Sequence, residues 1–267
     1  MIDYHVHTCF SGDSLALPSE MLDAAARLGI EEICFTDHVD FDNPGHNFEP
    51  ADLAKRHECL EVFGGCYRGV RIREGVEISM APLVECADSS LAYLAGFEPD
   101  FIIGSQHVVN GLDVYYPEFH QLKSKEEAYL SYLETIASSL PKFDFISVLG
   151  HYDFVAKFAP YPDRSMSCEL TPAIRRAFET VFKAIISMGK GIEINTSAWK
   201  DDERWGLDIL KLYRELGGEF VTFGSDAHRS AVVGSRLHEA KALALEAGIP
   251  YFAVFEKMKP TFIRITK

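Results

Sequence analysis

Ile2-Asp3-Tyr4-His5-Val6-His7-Thr8 is a short alternating run that reads as a strand, and it carries two histidines two residues apart. Residues i and i+2 of a strand share a face, so both imidazoles point the same way. Two neutral ring nitrogens on one side of a rigid backbone make half of a zinc-type or manganese-type site, provided carboxylates and further imidazoles converge on them. Later strands supply such partners repeatedly.

Outward from this strand, Pro18-Ser19-Glu20 opens an amphipathic helix with Met21, Leu22, Ala25 and Leu28 on one side, and Gly29 follows as a C-cap. Glu32-Ile33-Cys34-Phe35-Thr36 reads as a second strand running into Asp37-His38. After a loop rich in Pro, Gly and Asn over 42–50, a helix is expected over about 51–63 and a third strand over 71–78, ending near Glu77. Residues 100–107 are apolar enough for a buried strand, and Ser124 with Glu127 makes a capping box for a helix carrying Tyr129, Tyr132, Leu133 and Ile136. A strand over 143–149 finishes at Gly150-His151. Thr171-Pro172 then starts a helix with the core stripe Ile174, Phe178, Val181, Phe182 and Ile185, ended by Gly189. Strands at 191–195 and 219–223, helices at roughly 207–216 and 236–247, and a β-prone stretch at 261–266 complete the pattern.

Strands alternating with helices point to a parallel sheet, and about seven such units closing on themselves suit a barrel better than an open sheet. No repeat, low-complexity tract or linker divides the chain, so residues 1–267 are expected to form a single domain.

The composition, 47% hydrophobic and 25% charged, is that of a globular chain. A formal charge of -14, with 26 Lys and Arg that form no basic run, opposes binding to nucleic acid and points to a small substrate. Metal cations are expected to match part of that negative charge. Cys9, Cys34, Cys59, Cys66, Cys86 and Cys168 contain no C-x-x-C pair, which argues against a disulfide scaffold and against thiolate zinc. No basic-then-apolar leader precedes the first strand, and no apolar run approaches the ~20 residues that span a bilayer. A cytoplasmic enzyme with reduced thiols, and no membrane partner, is expected.

Each conspicuous His, Glu or Asp falls at the carboxyl end of a predicted strand, the edge where barrel enzymes assemble active sites. Singly, each has an ordinary explanation: His107 as a hydrogen-bonded core histidine, Glu77 as a buried ion-pair partner, Asp226 as a helix cap. Together they read differently. His5, His7, His38, His107, His151 and His228 are six of the ten histidines, and Asp13, Glu77 and Asp226 stand beside them. His46, His57, His120 and His238 fall in loops or on helices and read as surface residues.

The ordered set His5-x-His7, Thr36-Asp37-His38, Gly75-Val76-Glu77, Ser105-Gln106-His107, Gly150-His151-Tyr152-Asp153 and Gly224-Ser225-Asp226-Ala227-His228 resembles the polymerase and histidinol phosphatase (PHP) superfamily. Within it, Phe10-Ser11-Gly12-Asp13-Ser14 and Asp226-Ala227-His228-Arg229 look most like the stand-alone histidinol-phosphate phosphatases. The resemblance implies a distorted (β/α)7 TIM-like barrel with a metal site at the carboxyl ends of its strands. It also implies three divalent transition-metal ions. One would be held by His5, His7, Glu77 and Asp226, a second by Glu77 with His107 and His151, and a third by Asp13, His38 and His228. Imidazoles with oxygen donors suit zinc, iron or manganese, and Gly12 lets the backbone turn Asp13 back over the strand end.

Water bridging two such ions has a lowered pKa, so hydroxide is available to attack phosphorus in line. The absence of a G-x-S-x-G elbow and of a P-loop agrees with this. The implied activity is hydrolysis of L-histidinol phosphate in histidine biosynthesis; the alternative is a PHP phosphoesterase acting on a nucleotide or sugar phosphate. A module without turnover is the non-enzymatic alternative, though all nine ligand positions are filled. Arg229, Lys157 and Lys200 are candidates for the phosphate pocket. In the histidinol-phosphate phosphatases arginines commonly stand at the last two positions, and lysine keeps the charge while losing the two-pronged geometry. The acidic run Asp201-Asp202-Glu203 is a candidate to meet an amine. Asp153 and Asp37 are candidates for orienting a ligand or donating a proton.

Overall fold

A computed structural model of the protein describes residues 1–41, 49–199 and 206–266. Seven parallel strands form its centre: Ile2–Val6, Glu32–Phe35, Val70–Ser79, Phe101–Ser105, Val148–Leu149, Gly191–Asn195 and Phe220–Gly224. Each pairs with the next, in registers that set Ile2 opposite Glu32, Ile33 opposite Ile72, Gly75 opposite Phe101, Ile103 opposite Val148, Leu149 opposite Ile192 and Asn195 opposite Gly224. The ring closes just past the seventh strand. There Val6 bridges Ala227 in parallel, and His7 N donates to Ala227 O at 2.9 Å. Asp3 stitches the same seam, accepting from Ser225 N at 2.9 Å, Ser225 Oγ at 2.6 Å and Gly234 N at 2.8 Å.

One long helix follows each strand: Pro18–Leu28, Leu53–Glu61, Val84–Tyr93, Lys125–Ser139, Pro172–Ser187, Leu207–Glu215 and Leu237–Glu246. The expected (β/α)7 barrel is therefore the fold found. Six of the seven strands are buried at every residue, as expected of a parallel sheet covered on both faces. Local signals set the helix ends. Gly29 caps the first helix at φ 68°, Ser124 and Glu127 form the capping box of the fourth, and Thr171 accepts from Ile174 N at the start of the fifth.

The barrel is distorted at its floor. A hairpin of Tyr251–Glu256 and Lys259–Arg264 pairs with the start of the seventh strand, Tyr251 opposite Phe220, and then passes beneath the first. Phe255 N donates to Tyr4 Oη at 2.8 Å, and the Tyr4 hydroxyl donates in turn to Glu32. The hairpin turn is pinned to the foot of the fourth strand, with Lys257 N on Asp100 Oδ1 and Met258 N on Asp100 O, each 2.9 Å.

Three sequence expectations are corrected. The strand expected at 143–149 shrinks to Val148–Leu149, because Pro141 lies in a 3₁₀ turn, Leu140–Lys142, that leads Phe143 and Ile146 into the core as loop residues. The β-prone stretch at 261–266 does form a strand, Lys259–Arg264, as the outer half of the hairpin. Leu28, expected on the buried side, is 60% exposed as the last residue of its helix. His120 is buried, its Nε2 3.2 Å from Val114 O. Among the described residues, no helix is long and apolar enough to cross a membrane.

Candidate metal centre

Strand ends bring the nine candidate ligands together at one rim. Glu77, near the end of the third strand, is the centre, and its two oxygens face different partners. Oε2 lies 3.2 Å from His5 Nε2, 3.4 Å from His7 Nε2 and 3.1 Å from His38 Nδ1. Oε1 lies 3.3 Å from His107 Nε2 and 2.8 Å from His151 Nε2, and it accepts from Ser105 Oγ at 2.5 Å. Asp226 Oδ1 stands 3.4 Å from His7 Nε2 and 3.8 Å from His5 Nε2. Above them Asp13 Oδ2 meets His228 Nε2 at 2.8 Å and His38 Nε2 at 3.5 Å.

These separations suit cations. Ligands at tetrahedral corners, each about 2.1 Å from an ion, lie roughly 3.4 Å apart. His5 Nε2 and His7 Nε2 are buried and, despite nearby oxygens, make no hydrogen bond. Their far nitrogens are held from behind. His5 Nδ1 donates to Glu193 Oε1 at 2.7 Å, and His7 Nδ1 lies 3.1 Å from Ser11 Oγ. With the outer nitrogen so occupied, the inner lone pair is presented to the centre. Four sets among the described residues, His5 with His7 and Glu77, Glu77 with His107 and His151, His7 with Asp13, His38 and His228, and His38 with Asp40 and His107, each offer ligand atoms within 4.8 Å of one another.

The charges are arranged to balance. Burial pushes the Glu77 carboxyl up, but the imidazoles of His5, His38 and His107 hold it well below the usual carboxylate range. Asp226 is likewise held low against burial, chiefly by Lys157 and His5. Burial, with His228 and His38 alongside, depresses His7 to about 4. His38 is raised to about 10 despite burial, because Asp40 and Glu77 face it.

The rim opens into a cavity of about 400 Å³, walled by Tyr115, Tyr116 and Phe154, with Asp40, Glu49 and Asp113 among its acidic residues. Lys157 reaches into it, its Nζ 2.9 Å from Asp226 Oδ2. Arg229 is exposed and is not among the lining residues. Lys200 and the acidic run at 201–203 lie outside the described residues. Asp37 does not face the cavity. It accepts from Thr8 N at 2.6 Å and Ser11 Oγ at 3.0 Å and pairs with buried Arg56 at 3.2 Å, so it anchors the loop that carries Asp13. Asp153 is buried at the start of the short helix Phe154–Lys157.

Sequence reasoning missed Glu193 and Asp40. Asp40 Oδ2 lies 3.4 Å from His38 Nδ1 and 3.7 Å from His107 Nδ1. For Glu193 a signal existed: one carboxylate between Ile192 and Ile194 in a buried strand, where an unpaired charge is untenable.

The PHP domain model matches residues 3–197, and the chain belongs to the PHP family. It is 33% identical over 262 residues to the histidinol-phosphatase of Lactococcus lactis subsp. lactis, covering 97% of this chain and 95% of that protein. A probable histidinol-phosphatase of Clostridium acetobutylicum is 31% identical over 261 residues, covering 96% and 97%. The fold is similar to the crystal structure of the L. lactis histidinol phosphate phosphatase complexed with zinc, L-histidinol and phosphate, with TM-score 0.88, 32% identity and coverage of 97% and 98%.

Proposed function

We propose that the chain is a metal-dependent phosphomonoesterase that hydrolyses L-histidinol phosphate to L-histidinol and phosphate, a step of histidine biosynthesis, in the cytoplasm. The observation that carries this reading is Glu77, whose two oxygens each face a separate group of imidazoles beside an open cavity, in a chain so similar to the L. lactis enzyme. His5, His7, Glu77 and Asp226 would hold one divalent ion, Glu77 with His107 and His151 a second, and Asp13 with His38 and His228 a third, drawn from zinc, iron and manganese. When bound, such ions supply Lewis acidity that neutralises phosphoryl oxygens and lowers the pKa of water.

The chain's own residues do the rest. Glu193 and Ser11 fix the rings of His5 and His7, so their inner nitrogens need no reorganisation. Lys157 offers an ammonium at the cavity wall for a phosphoryl oxygen. The aromatic wall of Tyr115, Tyr116 and Phe154 suits a planar imidazole, and the carboxylates of Asp40, Glu49 and Asp113 suit the amine of histidinol.

The test is phosphate release from L-histidinol phosphate and from a panel of nucleotide and sugar phosphates, with zinc, manganese and iron supplied in turn. L-Histidinol phosphate is expected to be hydrolysed far faster than the others, and chelation to abolish turnover. Equal rates across the panel would reject the substrate assignment.

A further inference from the structure

Two loops from different strands meet on one atom. Lys157 Nζ, from the loop after the fifth strand, and Ser197 Oγ, from the loop after the sixth, both donate to Asp226 Oδ2, at 2.9 and 2.7 Å. Behind them lies Arg164, a buried arginine that does not line the cavity. Its Nη1 donates to Ala156 O at 3.0 Å and also to Lys157 O, and its Nη2 donates to Ala198 O at 3.0 Å. One guanidinium thus holds the last carbonyls of the helix Phe154–Lys157 and the backbone one residue beyond Ser197. Arg164 is itself fixed, since Tyr129 Oη donates to its carbonyl at 2.5 Å.

The chemistry fits a clamp. The final carbonyls of a helix lack intrahelical donors, and a four-residue helix has little cohesion of its own. A planar fork with five N–H groups can bond two loops at once, which an ammonium on a flexible stem does poorly. Burying a guanidinium carries a desolvation cost, which a purely apolar filler would avoid. We infer that Arg164 is a positioning residue for phosphate binding: by tying the two loops together it holds Lys157 at the cavity wall. The inference rests on the reading of Lys157 as a phosphate contact.

The experiment is a double-mutant cycle on metal-loaded protein, comprising wild type, Arg164→Ala, Lys157→Met and the double variant. Each is measured for its Kd for inorganic phosphate by equilibrium dialysis, for metal content, and for KM and kcat on L-histidinol phosphate. Each single variant is expected to weaken phosphate binding about tenfold with metal content retained, and the double variant to be no weaker than Lys157→Met alone. Effects that multiply, or a wild-type Kd in Arg164→Ala, overturn the inference while leaving the role of Lys157 intact. A wild-type Kd in Lys157→Met instead removes the phosphate role itself, so the two failures are told apart. If Arg164→Ala does not fold, Arg164→Lys, which keeps the charge and loses the fork, goes through the same cycle under the same criteria.

Discussion

Glu193 on the sixth strand and His5 on the first are joined by a hydrogen bond of 2.7 Å that passes over Gly224 on the seventh, and the other oxygen of Glu193 accepts from His151 N at 2.9 Å. One buried carboxylate therefore orients ring and backbone of two candidate ligands. Replacing it by glutamine keeps the volume and removes the charge behind His5. Glu193→Gln is expected to lower metal affinity by about 10–100-fold, as losses behind a ligating histidine do. Competition with a chromogenic chelator measures this, and a wild-type affinity would refute the orienting role.

Gly224 is small because the bond above it leaves no room. A Cβ there would sit 2.1 Å from Glu193 Oε1 and 2.5 Å from His5 Cβ. Gly224→Ala is expected to cost about 1–3 kcal/mol in stability by overpacking and to weaken metal binding with it. Urea denaturation of chelated protein reads the first effect, and the chelator competition reads the second; a variant equal to wild type in both contradicts so tight an approach.

In chelated protein His38 is raised to about 10, since Asp40 and Glu77 outweigh the burial that alone would lower it. A histidine raised above its ordinary value of 6.5 contributes stability that is complete below that value and is lost as the pH climbs through 10. The urea midpoint of chelated protein is therefore expected to fall between those limits. Zinc added at pH 8 must also displace the His38 proton, so a weakly buffered solution should acidify. A flat midpoint and no acidification would show that His38 is already neutral.

Tyr4 Oη serves two buried groups at the barrel floor, the Glu32 carboxylate and Phe255 N. Tyr4→Phe leaves both short of a partner and is expected to destabilise the protein by about 1–3 kcal/mol. Tyr4 does not line the cavity and its hydroxyl bonds only floor residues, so kcat should hold. A large fall in kcat at unchanged stability would mean that floor and rim are coupled.

The alternation of strands and helices was legible because its signals are local: apolar periodicity, the Ser124 and Glu127 box, and Gly29 behind Leu28. The candidate ligands were legible because barrel geometry turns a position in the chain, the carboxyl end of a strand, into a position in space. What was hidden depends on packing between distant segments. Lys257 and Met258 form the hairpin turn with φ of 48° and 65°, yet neither is a residue type that advertises such a turn. His120 ends a four-residue helix, Pro117–His120, too short to show a periodicity that would have revealed its burial. Asp40 and Arg164 act through partners that no spacing rule connects to them.

The bridge between Val6 and Ala227 joins opposite ends of the chain. During synthesis His5 and His7 leave the ribosome long before Asp226 and His228 exist, so the nascent chain carries an open-edged sheet and only part of its ion-binding set. Contacts of such long sequence separation form slowly. The unpaired edge of the first strand is exposed throughout that wait, which makes the unfinished polypeptide, rather than the finished enzyme, the species most exposed to aggregation.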